Sequence, residues 1–321
     1  MQKLTQTLGA GVLAALGLAA LAAGSAPAQA QDDPMRFVLI SHAPNADSWW
    51  NTVRNALNAA GEQMGVEVEY RNPPQGDLAN MARIVQQTTS SAPDGIIVTI
   101  ADFDVLDGPI QSAVERGIPV VTINSGTEAQ SAELGALMHV GQPEYYAGQR
   151  AGERAAEAGV TQFLCVNHYI TNPASVERCE GYADGLGVEL EGQMIDSGVD
   201  PTEVQNKVEA YLRQNPNTNG ILTLGPNSAH PTIRALENMG LAGDVHFATF
   251  DLSSEIAAAV KEGTVDFAID QQPYLQGYMP VVVLKLYNQY GLLPASNIRS
   301  GPGFVTEENI EQVEALAGEV R

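Results

Sequence analysis

Positive charge is scarce in this sequence: 16 Lys and Arg stand against 38 Asp and Glu in 321 residues, a formal charge of −22. A nucleic-acid binder needs a cationic stripe to displace counterions from phosphate, and this chain repels phosphate instead. An anionic membrane surface is excluded as a partner on the same ground. Cysteine and histidine are scarcer still, at 2 and 5, and neither set has metal-ligand spacing. His42, His139, His168, His230 and His246 form no HExxH pair, and there is no GxSxG elbow and no Walker loop. Asp102 to Asp107 starts like a calcium loop, but Leu106 takes a ligand position and the distal Glu is missing, so it reads as a solvated acidic turn. No cofactor or metal is therefore expected. Charge at 17% is too sparse, and hydrophobic content at 44% too high, for disorder or a coiled coil. What remains is an acidic globular protein, long enough to bury about 75% of its unfolded surface.

The first thirty residues stand apart. Lys3 supplies a positive start, Leu8 to Ala23 runs without charge, and Ala28-Gln29-Ala30 offers the small residues that a signal peptidase reads. The run is rich in small residues and short of the ~20 strongly apolar ones that a membrane span needs. Residues 1–30 are thus expected to be a cleaved signal peptide, leaving no membrane insertion of the mature chain's own. Gly9 to Ala14 matches a dinucleotide fingerprint by accident, since no strand precedes it. Cleavage leaves 291 of the 321 residues and removes only Lys3 from the charge, taking −22 to −23. Export makes a disulfide between Cys165 and Cys179 chemically possible; it would tie a strand end to the next helix, and two unpaired buried thiols are the other reading.

Short, continuous apolar runs then recur: Phe37 to Ile40, Ile96 to Ile100, Val120 to Ile123, Phe163 to Val166, Ile221 to Leu224 and Phe247 to Phe250, with weaker ones at Val66 to Tyr70 and Glu189 to Ile195. Unbroken hydrophobicity marks strands buried on both faces, as in a parallel sheet. Helical stretches separate them, among them Trp49 to Met64, Leu78 to Thr88 and Val204 to Leu212, while Pro216, Pro231 and Pro273 mark turns or first helical turns. The alternation pauses after a weak strand, Leu137 to Val140, at Gly141-Gln142-Pro143, and restarts near Phe163. The following helix carries a small-residue face, Ala147-Gly148, Ala151-Gly152 and Ala155-Ala156, expected to pack closely on a sheet. The expected fold is α/β, with two doubly wound parallel-sheet lobes and ligand at the carboxyl ends of the strands.

Those strand ends are chemically unusual. After Phe37 to Ile40 comes Ser41 to Trp50, where Asp47 or Ser48 is placed to cap a helix whose first turn holds both tryptophans of the protein, Trp49 and Trp50. Two adjacent indoles cannot both point into a core, so at least one should face the crevice, where it would stack on a sugar ring. Asn124-Ser125 follows Val120 to Ile123, Gly225-Pro226-Asn227 follows Ile221 to Leu224, Asp251 follows Phe247 to Phe250, and Asp270-Gln271-Gln272 follows Phe267 to Ile269. Asn and Gln donate and accept, and Asp accepts twice, which is the chemistry that grips hydroxyls. Asp251, just before Ser253-Ser254, also reads as a simple helix cap.

These residues resemble the sugar-binding constellation of the ribose-type periplasmic binding proteins, the solute receptors of sugar ABC importers. The resemblance spans nearly the whole mature chain. Ser41 to Trp50 resembles the family's first strand and aromatic pair, Val176 to Tyr182 its R-x-x-G-F segment, Phe250-Asp251 its F-D, and Ile269 to Pro273 the stretch whose first Gln reaches the ligand. Typical members carry Asp-Arg where this chain has Asn124-Ser125, and a polar residue where it has Gly225-Pro226. The resemblance implies a type I fold with a three-crossing hinge at Gly141-Gln142, Gln271-Gln272 and Arg299 to Pro302. It implies an N-terminal lobe of residues 35–141 plus 272–300 and a C-terminal lobe of 142–271 plus 301–321. The implied ligand residues are Asp47, Trp49, Trp50, Asn124 and Ser125 from one lobe, and Arg178, Asn227, Asp251 and Gln271 from the other. The implied protein is a monomeric periplasmic receptor that delivers a sugar or polyol to a membrane permease. Two other readings stay open: a secreted α/β enzyme acting on carbohydrate through Asp47 or Asp251, and a receptor that presents ligand to a chemoreceptor or sensor kinase.

Overall fold

The computed structural model describes residues 34–321, so the expected signal peptide lies outside the described residues. The first stretch runs β1 (Arg36–Ile40), α1 (Trp50–Met64), β2 (Glu67–Arg71), α2 (Leu78–Ser90), β3 (Gly95–Val98), α3 (Phe103–Glu115), β4 (Val120–Ile123), α4 (Glu128–Glu133) and β5 (Met138–Gly141). The second runs α5 (Glu144–Glu157), β6 (Phe163–Asn167), α6 (Pro173–Leu186), β7 (Met194–Asp196), α7 (Pro201–Gln214), β8 (Gly220–Thr223), α8 (Pro226–Met239), β9 (His246–Phe250), α9 (Ser254–Glu262) and β10 (Phe267–Asp270). The chain closes with α10 (Pro273–Tyr290), β11 (Ile298–Arg299), β12 (Gly303–Val305) and α11 (Ile310–Val313).

Two six-stranded sheets result, ordered β11-β5-β4-β3-β1-β2 and β12-β10-β9-β8-β6-β7, parallel throughout except where β12 runs antiparallel to β10. Each sheet reverses its winding once, between β1 and β3 in the first and between β6 and β8 in the second. Side chains from both faces of the central strands are buried: Phe37 to Ile40, for instance, are fully enclosed. That is why these strands are written as unbroken apolar runs. The chain passes between the sheets three times, after β5, after β10 and between β11 and β12, while α10 returns to pack along α1.

Several local expectations change. Pro231 lies within α8, whose first position is taken by Pro226, so Pro231 marks no helix start. The run Glu189 to Ile195 pairs only from Met194, because Gly192 turns the chain with φ +77°. Asp102 to Asp107 is not a free acidic turn: Asp102 caps α3, its carboxylate accepting from the Val105 amide at 3.2 Å. The small-residue face of α5 splits its work. Ala147, Ala151 and Ala155 join the core beside Phe163, whereas the Gly148 row meets another helix, α6. A Cβ at Gly148 would run into the carbonyl oxygen of Arg178, and one at Gly181 into that of Tyr145, so the two helices touch backbone to backbone.

Cys165 and Cys179 form a disulfide that joins the middle of β6 to α6, and both are fully buried. Closing a loop of 14 residues limits the unfolded chain by about 3 kcal/mol on the entropic account. The double replacement Cys165→Ala and Cys179→Ala should therefore lower unfolding free energy by about that amount in guanidinium titrations. An unchanged transition midpoint would contradict it.

Candidate functional site

The carboxyl ends of both sheets face each other across a cavity of about 50 Å³. From the first sheet come Asp47, Trp49, Trp50, Asn124 and Ser125; from the second come Arg178, Asn227 and Asp251; Gln271 enters from the second crossing. The cavity thus brings together all nine residues that the resemblance implies as ligand contacts. Both indoles line it and both are buried, with ring centres 5.0 Å apart at 74°. Trp49 and Trp50 need not share one face because helix α1 starts between them: Trp49 is its cap residue and Trp50 its first. Asp47 does not cap α1 as expected. Its carboxylate accepts from the Trp49 amide at 3.1 Å, pinning the turn before the helix.

One hydrogen-bonded chain crosses the cleft. Asn172 donates to Ser125 Oγ at 2.9 Å, Ser125 to Asn124 Oδ1 at 2.9 Å, Asn124 to Gln271 Oε1 at 3.1 Å, and Gln271 to Asp251 Oδ1 at 2.6 Å. A second link runs from Asn227 to Asp47 Oδ2 at 3.3 Å. Asp251 is no helix cap: Ser253 caps α9, and Asp251 turns its carboxyl into the cavity. The backbone is bent to allow this. Asn124, Asp251 and Gln272 have φ of +57°, +68° and +53°, and Gly225 has φ +155°. Left-handed backbone costs a non-glycine residue on the order of 1–3 kcal/mol, and Asn and Asp tolerate it best. Asn124 and Asp251 carry it on the cavity wall and Gln272 carries it beside the lining Gln271, which marks a shaped site.

The family model for a periplasmic binding protein domain matches residues 37–290. The chain belongs to the periplasmic binding proteins. Among solved structures, it is similar to a carbohydrate transporter from Acidothermus cellulolyticus 11B in complex with myo-inositol, with 34% identity and a TM-score of 0.81 over 89% of this chain and 98% of that one. It is similar in fold to GanP, a glucose-galactose binding protein from Geobacillus stearothermophilus, at 22% identity and a TM-score of 0.78 over 86% and 99% of the two chains. Among curated relatives, it is 24% identical over 292 residues to the xylose/arabinose-binding protein XylF of Sulfolobus acidocaldarius, covering 86% of this chain and 72% of that one. A periplasmic binding protein works in the periplasm or outside the cell. Among the described residues, no helix is long and apolar enough to cross a membrane.

This periplasmic binding protein also lines its cavity with residues that the strand-end reading passed over: His42, His168, Tyr169, Asn172 and Ser175. His168 to Asn172 follow β6, and the strand-end rule applied to Phe163–Val166 finds them. His42 meets both Trp50 and Tyr169 edge-on, each at 5.5 Å, so the two lobes touch through aromatic rings as well. Burial holds the imidazole of His42 down to about 4. Burial, with the Arg178 charge and His42 added, holds His168 down to about 3, so both are neutral at pH 7. Burial pushes the Asp251 carboxyl up to about 7, against the opposing pull of Arg178 and Gln271. Burial likewise raises Asp47 above the usual carboxylate range. Arg178, the one Lys or Arg on the cavity wall among the described residues, is met by Glu144 through a two-pronged ion pair at 2.7 and 2.9 Å.

Proposed function

We propose that this chain is a receptor that captures a neutral polyol, a sugar or a cyclitol such as myo-inositol, and hands it to the permease of an ABC importer. The observation that carries this reading is the charge balance of the cavity: its one lining cation is already matched by a buried carboxylate. An anionic ligand would enter without a free counter-cation, which desolvation makes costly. Hydroxyl groups instead meet neutral donors and acceptors at each strand end. The indoles add apolar faces of the kind that stack on the C–H face of a ring. The myo-inositol complex of the 34% identical carbohydrate transporter supports a cyclitol as the first ligand to test.

Asp47 and Asp251 are both engaged by neighbouring amides, which supports binding over carbohydrate catalysis; no turnover of the ligand is expected. Lobes of residues 35–141 plus 272–300 and 142–271 plus 301–321 would close about the three crossings. Ligand bridging both lobes then binds the closed form preferentially, and that differential affinity shifts the population towards it. Export by removal of residues 1–30, a periplasmic location and a monomeric state belong to the same reading.

Trp49 and Trp50 are the only tryptophans in the sequence, so the site reports on itself. Titration with myo-inositol, D-xylose and D-ribose should change intrinsic fluorescence for at least one, with a matching calorimetric isotherm. A ligand seen by calorimetry that left the emission unchanged would sink the indole contact. Binding of none of the three would overturn the polyol reading, and release of a product from the bound sugar would favour an enzyme.

A further inference from the structure

A site with a single cation depends on where that cation is aimed, and Arg178 is not aimed by its own element. Its Nε and Nη2 donate to Glu144 at 2.7 and 2.9 Å, its Nη1 donates to the Leu224 carbonyl at 3.0 Å, and its guanidinium lies 4.3 Å over the Phe250 ring. A guanidinium carries five N–H donors in a rigid fork. Three are taken by protein, which leaves one on each Nη while the side chain lines the cavity. Glu144 is itself fixed: its side chain is 1% exposed, and Gln142 on the first crossing donates to the same carboxylate at 2.8 Å.

The sequence writes this pairing into the small-residue face. Glu144 opens α5 and Arg178 lies midway along α6, 34 positions later. The two meet because Gly148 admits the Arg178 carbonyl and Gly181 admits the carbonyl of Tyr145, the residue after Glu144. The glycines therefore set the register of the ion pair, not only the density of the packing.

We infer that Glu144 is the positioning residue of this site, acting through Arg178: it fixes the guanidinium before ligand arrives, with the α5–α6 glycine contact holding the pair in register. A long side chain fixed in advance loses no rotamer freedom on binding, so the ligand keeps that part of the interaction. The inference rests on the polyol reading for its ligand but not for its geometry.

Two measurements separate the two. In sugar-free protein, proton exchange at Arg178 Nε–H, followed by nitrogen-detected NMR, should be at least about tenfold faster in Glu144→Gln than in wild type, because a charge-assisted hydrogen bond is lost. Calorimetry with myo-inositol should show Glu144→Gln and Arg178→Lys each about tenfold weaker, and the double variant no more than about twofold worse than the weaker single. Unchanged Nε–H exchange in Glu144→Gln, or losses that multiply in the double variant, would overturn the inference. Should the Gln variant not fold, Glu144→Asp, which keeps the charge and shortens the reach, is read in the same two ways. If wild type ignores myo-inositol, the polyol assignment suffers while the exchange measurement still decides the role of Glu144.

Discussion

Replacing Arg178 with alanine should abolish polyol capture and destabilise the fold by about 3–5 kcal/mol, because it leaves the buried carboxylate of Glu144 without its partner. Two further losses act in the same direction. The Leu224 carbonyl is left without the Arg178 donor, and the Phe250 ring loses the guanidinium stacked on it. A central, desolvated cation is also the kind of group whose truncation weakens binding by at least about a hundredfold. The stability and binding effects come apart in the double variant Arg178→Ala with Glu144→Ala. Removing both charges ends the desolvation problem, so the double should be more stable than the single while still failing to bind. Guanidinium titrations and calorimetry of the three proteins decide it. A single variant within about 1 kcal/mol of wild type, or a double less stable than the single, would show that the pair is not desolvated as described.

The architecture was legible because its cause is local. β4 spans Val120–Ile123 as the apolar run does, and α10 starts at Pro273, where a first helical turn was expected, because burial on two faces and proline at a helix start each leave a mark within a few residues. The strand-end residues were legible for the same reason: a polar group directly after an unbroken apolar run has nowhere to go but the sheet's carboxyl edge. Asp251 shows where this stops. Beside Ser253-Ser254 it reads as a cap, and only its φ of +68° and its 2.6 Å bond from Gln271 make it a cavity residue. Asn172 is both things at once: its Oδ1 caps the Ala174 amide in α6 while its Nδ2 reaches Ser125 in the other lobe. Glu144 reads as a first-turn acid favoured by the helix dipole, and its pairing with Arg178 depends on a helix–helix contact that no local period encodes. The missed roles are those fixed by tertiary approach.

The expected charge deficit, read as a property of the surface, does not extend to the cavity. There Arg178 is paired with Glu144, burial lowers the imidazoles of His42 and His168 and raises the carboxyls of Asp47 and Asp251, and the same burial sets how the protein responds to acid. His42 and His139 are held down to about 4, and His168 to about 3, in each case first by burial. Their folded values lie below the usual 6.5, so the unfolded chain takes up protons first. The stability they contribute is complete above about pH 6.5 and is lost as pH falls towards those values. At pH 5 each costs about 2 kcal/mol, or about 6 kcal/mol for the three. Asp251 works in the opposite sense. Pushed up to about 7 by burial, it favours the folded state below its unfolded value near 4 and loses that contribution as pH rises through 7. Going from pH 7 to pH 5 therefore regains about 2 kcal/mol from Asp251. Glu177, raised to about 7 by burial and by Glu144 and Glu180, acts in the same direction but is only half-buried and partly screened, so it adds less. Imidazoles outweigh carboxyls, and wild type should be about 3 kcal/mol less stable at pH 5 than at pH 7. His139 allows a clean test because it lies within β5, bonded to Thr122 of β4 at 2.9 Å, and lines no part of the cavity. Denaturant titrations of His139→Gln at both pH values should show the acid loss reduced by about 2 kcal/mol relative to wild type. Equal acid sensitivity in the two proteins would mean that the buried imidazoles do not govern this response.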